Sequence, residues 1–189
     1  MGGAEATRTR ILDAAYAEFA AYGVAGARVD RIAQLAECNK NLIYVYFESK
    51  ENLFATVLSR TLATVYGDLP FPTDDIPEFA GRLFDFVMAN PQIIRLLAWS
   101  TLNENTRFPP GRMETHVNNV RQIGEAQSAG DVTAAYPPEF VLMAVLALVT
   151  AWSPALPFGL SVEPNPKVTQ AEMRASVVLA ITAMLGAGS

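Results

Sequence analysis

Two short amphipathic segments separated by three residues constrain this chain more than any other feature of its sequence. The first covers residues 29–36, where apolar side chains recur at the spacing of one buried helical face: Val29, Ile32, Ala33 and Ala36. The second covers residues 40–47 and buries Ile43 and Phe47 in the same way. The three residues between them allow only a tight turn, and Asn39 is a residue type that caps helix N-termini. The spacing therefore predicts a helix-turn-helix.

The outward side of the second segment carries residue types that read DNA. Lys40, Asn41 and Tyr44 point away from the buried pair. A lysine reaches guanine acceptors, an asparagine pairs with adenine in the major groove, and a tyrosine hydroxyl can hold a phosphate. Lys40 and Lys50 also begin helices, where the macrodipole disfavours a cation unless phosphates are near. These placements favour DNA binding, although periodicity alone fits two short helices of an ordinary helical protein about equally well.

A longer pattern around this motif resembles the N-terminal domain of the TetR family of transcriptional regulators. The matching positions are residues 11–15, Phe19, Gly23, Val29, 32–33, Ala36, Lys40, 42–44, 46–47 and 49–54. They cover roughly the first 55 residues over three helices and the start of a fourth. The resemblance implies an all-α fold, with an N-terminal three-helix DNA-binding domain and a C-terminal helical domain for ligand binding and dimerisation.

The resemblance also implies which side chains meet DNA. Two of them, Lys40 and Asn41, are expected to read bases. Others are expected to hold the sugar-phosphate backbone, and the full predicted set is Arg28, Asn39, Lys40, Asn41, Tyr44, Tyr46 and Lys50.

Two departures from the family pattern concern how the motif docks. The family usually places Thr or Ser just before the second helix, where this chain has Ala27 and Arg28. Arg28 can supply a phosphate contact but no cap. The family turn is usually Gly-Val-Ser, whereas this chain has Glu37, Cys38 and Asn39. Glu37 would be strained if that position needs a positive φ, and it adds negative charge near DNA.

Overall charge argues against a generally basic nucleic-acid coat. The 189-residue chain has a net charge of −5 and 51% hydrophobic residues. Residues 1–53 carry six Lys and Arg against seven acids, so DNA binding must depend on a local patch. Cys38 is the single cysteine and His116 the single histidine. We therefore expect no internal disulfide, no metal site and no cofactor. The lone cysteine and the absence of a signal peptide fit a cytoplasmic protein.

Helical periodicity organises the rest of the chain into two predicted domains. Residues 1–49 form the DNA-binding domain, in which a helix over 7–22 follows a loose tail and ends at Gly23. Residues 50–189 form the effector-binding and dimerisation domain, and its first helix, 50–66, connects the two. Further helices are predicted over 77–90, 91–103, 111–129, 138–152 and 169–185, with loops at 67–77, 104–110 and 153–167.

The helix over residues 138–152 is apolar on nearly all sides and needs cover on all of them. It lies in an uncharged run, 140–162, but Pro154, Pro157 and Gly159 interrupt that run, so a membrane span is not expected. Packing of the last two helices of two copies would bury this helix in a twofold homodimer. The same axis would present two recognition helices to a palindromic DNA operator, about 34 Å apart. The alternative is that these helices form only the core of one chain.

The family resemblance implies that the second domain encloses a small-molecule effector. Few charges lie on the apolar faces of the middle helices, which favours a mostly hydrophobic ligand. The candidate lining residues are large or soft: Phe84, Met88, Trp99, Leu102, His116, Met143 and Trp152. Each of them also fits an ordinary core position at helical spacing, which is the more frequent role of such residues.

These features predict a ligand-responsive DNA-binding regulator, a repressor that releases its operator on binding an effector. Effector and DNA would then weaken each other's binding by the same factor. The alternative is a helical ligand carrier or interaction module that has lost DNA binding. An enzyme is not expected, because neither a nucleophile-base arrangement nor a glycine-rich phosphate loop is present in the sequence.

Overall fold

The computed structural model describes residues 2–72, 74–102, 110–156 and 168–186, and the regular structure within these segments is helical throughout. The all-α prediction is therefore confirmed for the described chain. The helices are α1 (Gly2–Gly26), α2 (Val29–Leu35), α3 (Lys40–Phe47), α4 (Lys50–Asp68), α5 (Ile76–Ala89), α6 (Pro91–Leu102), α7 (Pro110–Ala129), α8 (Pro138–Thr150) and α9 (Gln170–Leu185).

The chain forms two compact units. The N-terminal unit comprises Met1–Thr64 and Arg95–Pro109, and the C-terminal unit comprises Val65–Ile94 and Pro110–Ser189. The N-terminal unit extends beyond residue 49 because the first half of α4 buries its apolar stripe there, including Leu53, Phe54, Val57 and Leu58. The functional division at residues 49 and 50 stays a prediction.

In the N-terminal unit, α1 supplies the inner wall on which the other helices pack. Its fully buried face includes Ile11, Ala15 and Phe19, and the Phe19 ring meets Phe54 of α4 edge-on at 5.1 Å. Edge-to-face contact of aromatic rings stabilises such a core beyond the area it buries. α1 and α4 thereby form a packed backing for the two short helices.

The first helix begins earlier than predicted, since residues 2–6 are helical rather than a loose tail. A tertiary contact holds this extension, because the Tyr46 hydroxyl of α3 donates a hydrogen bond to the Ala4 carbonyl at 3.4 Å. Arg8, one turn further on, places its guanidinium over the Phe47 ring at 5.6 Å. Both partners lie about forty residues away along the chain, so no local pattern in the first residues indicates the contact.

Gly23 interrupts α1, as the predicted helix end at this residue requires. Its φ is 66° and its ψ is −178°, a combination that only glycine adopts readily. A Cβ atom at this position would lie 2.8 Å from the indole of Trp99 on α6. Glycine is therefore needed twice here, for the backbone conformation and for close approach of the indole.

In the C-terminal unit, α5 packs against α8 and α9, and α7 packs against α8. An ion-pair network joins α9 to α5, because Arg174 contacts Glu78 at 2.6 Å and Asp85 at 2.8 Å. The guanidinium crosses Gly81, where a Cβ would lie 2.8 Å from it. α9 begins with a capping box, in which Thr169 and Glu172 exchange hydrogen bonds between side chain and backbone.

The last residue of the helix predicted over 91–103 and parts of the predicted connections, 104–109 and 157–167, lie outside the described residues. The uncharged run at 140–162 is described up to residue 156, and α8 within it ends at Thr150. None of the described helices combines the length and apolar character that a membrane span needs.

Candidate nucleic-acid interface

The turn and the second helix of the motif form as the sequence predicts. α3 starts at Lys40, and the Asn39 side chain accepts a hydrogen bond from the Asn41 amide at 2.8 Å. Ile43 and Phe47 are buried beneath the helix, so its opposite side faces solvent. Lys40, Asn41 and Tyr44 are all exposed on α3. The cap and the buried pair hold the base-reading candidates on a short, rigid helix.

Glu37 adopts the positive φ that its position in the turn demands. Its φ is 50°, a left-handed conformation that costs an L-residue energy and that glycine adopts freely. The turn nevertheless closes, because the Cys38 amide donates to the Ala33 carbonyl at 3.0 Å. The Arg10 side chain donates to the Ala36 carbonyl at 3.2 Å and so satisfies the C-terminal end of α2. The turn thus closes with a glutamate at a position of positive φ.

Lys40 is paired with an acid from the first helix of the motif. Its ammonium lies 2.8 Å from a carboxylate oxygen of Asp30 on α2, and both side chains are largely exposed. The hydrogen bond to Asp30 raises the pKa of Lys40. Lys40 therefore stays charged at neutral pH and is oriented by Asp30, a partner that the sequence-based set of site residues lacks.

Glu18 is a second functional residue that sequence reasoning missed. Its side chain is only 3% exposed and lies at the junction of α1 and α2. One carboxylate oxygen accepts the Arg28 backbone N–H and the Arg31 Nε–H, both at 2.8 Å. Burial raises the pKa of Glu18, but the hydrogen bonds from Arg31 and Arg28 outweigh burial, and its pKa lies below the usual glutamate range.

This carboxylate satisfies one of the free backbone N–H groups at the start of α2, that of the N-cap residue Arg28. The Arg28 side chain makes no cap hydrogen bond, whereas its backbone N–H donates a hydrogen bond to the Glu18 carboxylate. Arg31 is itself held over the Tyr22 ring at 4.3 Å. A signal was present in the sequence, because residue 18 follows Ile11 and Ala15 at i+7 and i+3 on the buried face of α1.

The remaining residues predicted to contact the DNA backbone lie around the motif, and two of them, Lys50 and Tyr46, make hydrogen bonds within the chain. Lys50 donates from Nζ to the Ala27 carbonyl at 3.3 Å, which ties the start of α4 to the loop before α2. Tyr46 is half-buried and bonded to Ala4, while the Arg28 side chain is exposed. The structure thus brings Lys40, Asn41 and Tyr44 together on α3, with Arg28 and Lys50 at the adjoining helix N-termini.

The seven residues predicted to line an effector site fall in both compact units, and their role stays a prediction. Trp99 and Leu102 belong to the N-terminal unit, where Trp99 covers Gly23 and Leu102 is 73% exposed. The other five lie in the C-terminal unit. Phe84 is entirely in the core, Met143 is 57% exposed, and Met88, His116 and Trp152 are half-buried. The Trp152 indole N–H is buried without an acceptor among the described residues.

No cluster of metal-ligating side chains occurs in the part of the chain that the structure describes. Cys38, in the turn, is half-buried, and burial raises the pKa of its thiol, so it is protonated at neutral pH.

Comparison with known proteins agrees with this architecture. Residues 11–57 match the family model of bacterial regulatory proteins of the tetR family, and residues 75–182 match the model of the tetracyclin repressor-like C-terminal domain. The chain is 38% identical over 156 residues to the HTH-type transcriptional repressor SCO4008 of Streptomyces coelicolor, and the aligned region covers 81% of each chain.

Solved structures with similar folds cover nearly the whole chain. A putative transcriptional regulator from Streptomyces coelicolor, SCO4942, superposes with a TM-score of 0.86 and 33% identity, over 96% of this chain and 99% of the other. FadR from Bacillus subtilis, in complex with stearoyl-CoA, superposes with a TM-score of 0.66 and 15% identity, over 94% and 99% of the two chains. The latter likeness concerns the fold alone.

The helix-turn-helix on its α1–α4 backing, joined to a separate helical unit, defines a DNA-binding transcriptional regulator of the ligand-responsive class. The chain belongs to the TetR family. This family consists of transcriptional regulators rather than enzymes, and its members bind DNA operators and small-molecule effectors.

Proposed function

We propose that the protein is a homodimeric repressor that binds a palindromic operator in the cytoplasm and releases it on binding a small, mostly hydrophobic effector. The observation that supports this most directly is the outward face of α3. Lys40 and Asn41 are exposed there while Ile43 and Phe47 anchor the helix from behind. In this proposal these two residues read base edges, and Tyr44 and Lys50 hold phosphates.

The dimer is proposed to form through α8 and α9. Val141, Val145 and Val149 bury one side of α8 within the chain, but Phe140 and Met143 on its other side are exposed. α9 likewise exposes Leu179 between small residues one turn away, Ala175 and Ala183. Apolar stripes of this kind on two adjacent helices support pairing with a second copy. Met143 is assigned to this interface rather than to the effector site.

The effector is proposed to bind within the C-terminal unit. Met88, His116 and Trp152 are half-buried there, and the buried Trp152 N–H offers a donor to a ligand that carries a hydrogen-bond acceptor. FadR from Bacillus subtilis, which shares this fold, is known in complex with stearoyl-CoA, and this supports a ligand with a long apolar chain as one candidate effector. The proposed repression is supported by the similarity to SCO4008, which is a transcriptional repressor.

The test is selection of bound sequences from random duplex DNA by the purified protein. We expect a palindromic motif whose half-sites lie about one helical turn apart. Asn41→Ala is expected to lose discrimination at particular base pairs, whereas Lys50→Ala is expected to weaken binding to all sequences and to flatten the salt dependence. Absence of any enriched motif at low salt would instead favour a ligand carrier without DNA binding.

A further inference from the structure

The most exposed apolar side chain of the motif lies in the middle of the DNA-facing side of α3. Val45 is 74% exposed. It lies two positions along the chain from each of the buried anchors, Ile43 and Phe47. At about 100° per residue, this spacing places Val45 on the side of the helix opposite to the core.

Asn41 precedes Val45 by one helical turn and shares its face, whereas Lys40 leans toward Asp30 of α2. If α3 enters the major groove with its solvent side, Asn41 and Val45 are the side chains aimed most directly at the base edges. A valine side chain at such a position makes no hydrogen bond to water. Its branched side chain also lowers helix propensity compared with alanine.

The major groove offers one kind of methyl group to an apolar side chain. Guanine, cytosine and adenine present hydrogen-bond donors and acceptors along this groove, while thymine also presents its C5-methyl. Val45 cannot donate or accept a hydrogen bond through its side chain, so it is suited to that methyl and to no polar edge. Contact between the two would remove apolar surface of both from water.

We propose that Val45 is a specificity-determining residue that reads the methyl group of a thymine in each half-site of the operator. This inference rests on the proposed function, because it requires α3 to occupy the major groove. It adds a base contact that the polar residues of α3 do not supply. Removal of the thymine C5-methyl alone, or of the Val45 side chain alone, is expected to weaken binding. Removal of both is expected to weaken binding no more than removal of one.

The experiment uses the sequence selected by the wild-type protein and replaces each thymine of a half-site in turn by deoxyuridine. Deoxyuridine keeps the hydrogen-bonding edge of thymine and lacks only its methyl. Dissociation constants are measured by fluorescence anisotropy for the wild type and for Val45→Ala. Alanine has the higher helix propensity and residue 45 is exposed, so the variant is expected to fold.

At one thymine of the half-site, deoxyuridine is expected to weaken wild-type binding about fourfold, the factor that corresponds to burial of one methyl-sized group. Val45→Ala is expected to bind the thymine and deoxyuridine duplexes equally at that position. Val45→Thr, which keeps one γ-methyl, is expected to retain part of the difference. Leu35→Ala is the matched control, since Leu35 is an apolar residue of α2 that is 63% exposed, and it should leave the difference unchanged.

Two results would overturn the inference while leaving the proposed function intact. One is a wild-type protein that tolerates deoxyuridine at every position of its selected site. The other is a deoxyuridine effect that persists undiminished in Val45→Ala. If the wild-type protein enriches no sequence at all, the proposed function fails and the inference fails with it.

Discussion

Replacement of Glu18 tests whether one buried carboxylate holds the start of the helix-turn-helix. Its oxygen accepts the Arg28 N–H and the Arg31 Nε–H at 2.8 Å, and the side chain is 3% exposed. Loss of a hydrogen bond to a charged, buried acceptor costs about 2–3 kcal/mol. Because the Arg31 side chain is 38% exposed and can turn to water, we add nothing for its ion pair.

Glu18→Ala is therefore expected to lower the free energy of unfolding by about 2–3 kcal/mol. This corresponds to a fall in Tm of roughly 4–12 °C for a chain of this size. Glu18→Gln keeps an acceptor oxygen but loses the charge, so it is expected to cost about 1 kcal/mol. Urea and thermal denaturation followed by circular dichroism measure both values. Glu5→Gln, the same change at an exposed position of α1, is the control and should stay within about 0.5 kcal/mol of the wild type.

The effect of Glu18 should also depend on pH. Its pKa in the folded protein lies below the ordinary glutamate value, so its stabilisation is present above about pH 4.3 and is lost as the pH falls through the folded pKa. The stability difference between wild type and Glu18→Gln should shrink as the pH is lowered below that value. A difference that stays constant down to pH 3, or a Glu18→Ala variant as stable as the control, would refute the assigned role.

Two further predictions concern the motif and its backing. Asp30→Asn leaves the Lys40 ammonium without its carboxylate partner, so on random DNA, where Lys40 has no specific base to read, it can pair with a phosphate. Affinity for random DNA should then rise, and the salt dependence should steepen by about 0.9 per copy. Asp13→Asn, which breaks an ion pair with Arg60 of α4, is the charge-matched control, and equal effects of the two variants would contradict the prediction. Gly23→Ala should lower the free energy of unfolding by at least about 1–3 kcal/mol from backbone strain alone. Adding Trp99→Leu to Gly23→Ala should restore only the part of the lost stability that comes from the close approach of the indole. Thermal denaturation measures both effects, and a Gly23→Ala variant with a Tm at or above that of the wild type would contradict the described conformation of Gly23.

The sequence by itself determined the elements of the fold, because the information for a helix is local. The apolar spacing predicts α2 and α3 within one residue, and Asn39 caps the helix that follows it. Helical periodicity also places Ile43 and Phe47 in the core and so leaves Lys40 and Asn41 outside. A side chain's neighbours at i+3 and i+4 are fixed by helix geometry, so such inferences need no tertiary structure.

Only the tertiary structure decided which distant residues meet. Asp30 lies beside Lys40, the tip of Tyr46 beside Ala4, and Trp99 beside Gly23, because helices that are separate in sequence pack at particular angles and depths. Trp99, predicted at the effector site from its size and position, belongs to the N-terminal unit, and its contact with Gly23 was not readable from the sequence. Glu18 shows both the contribution of the sequence and that of the tertiary structure. Its position on the buried face is readable from its spacing, but its partners at the start of α2 follow from packing, which spacing along one helix does not encode.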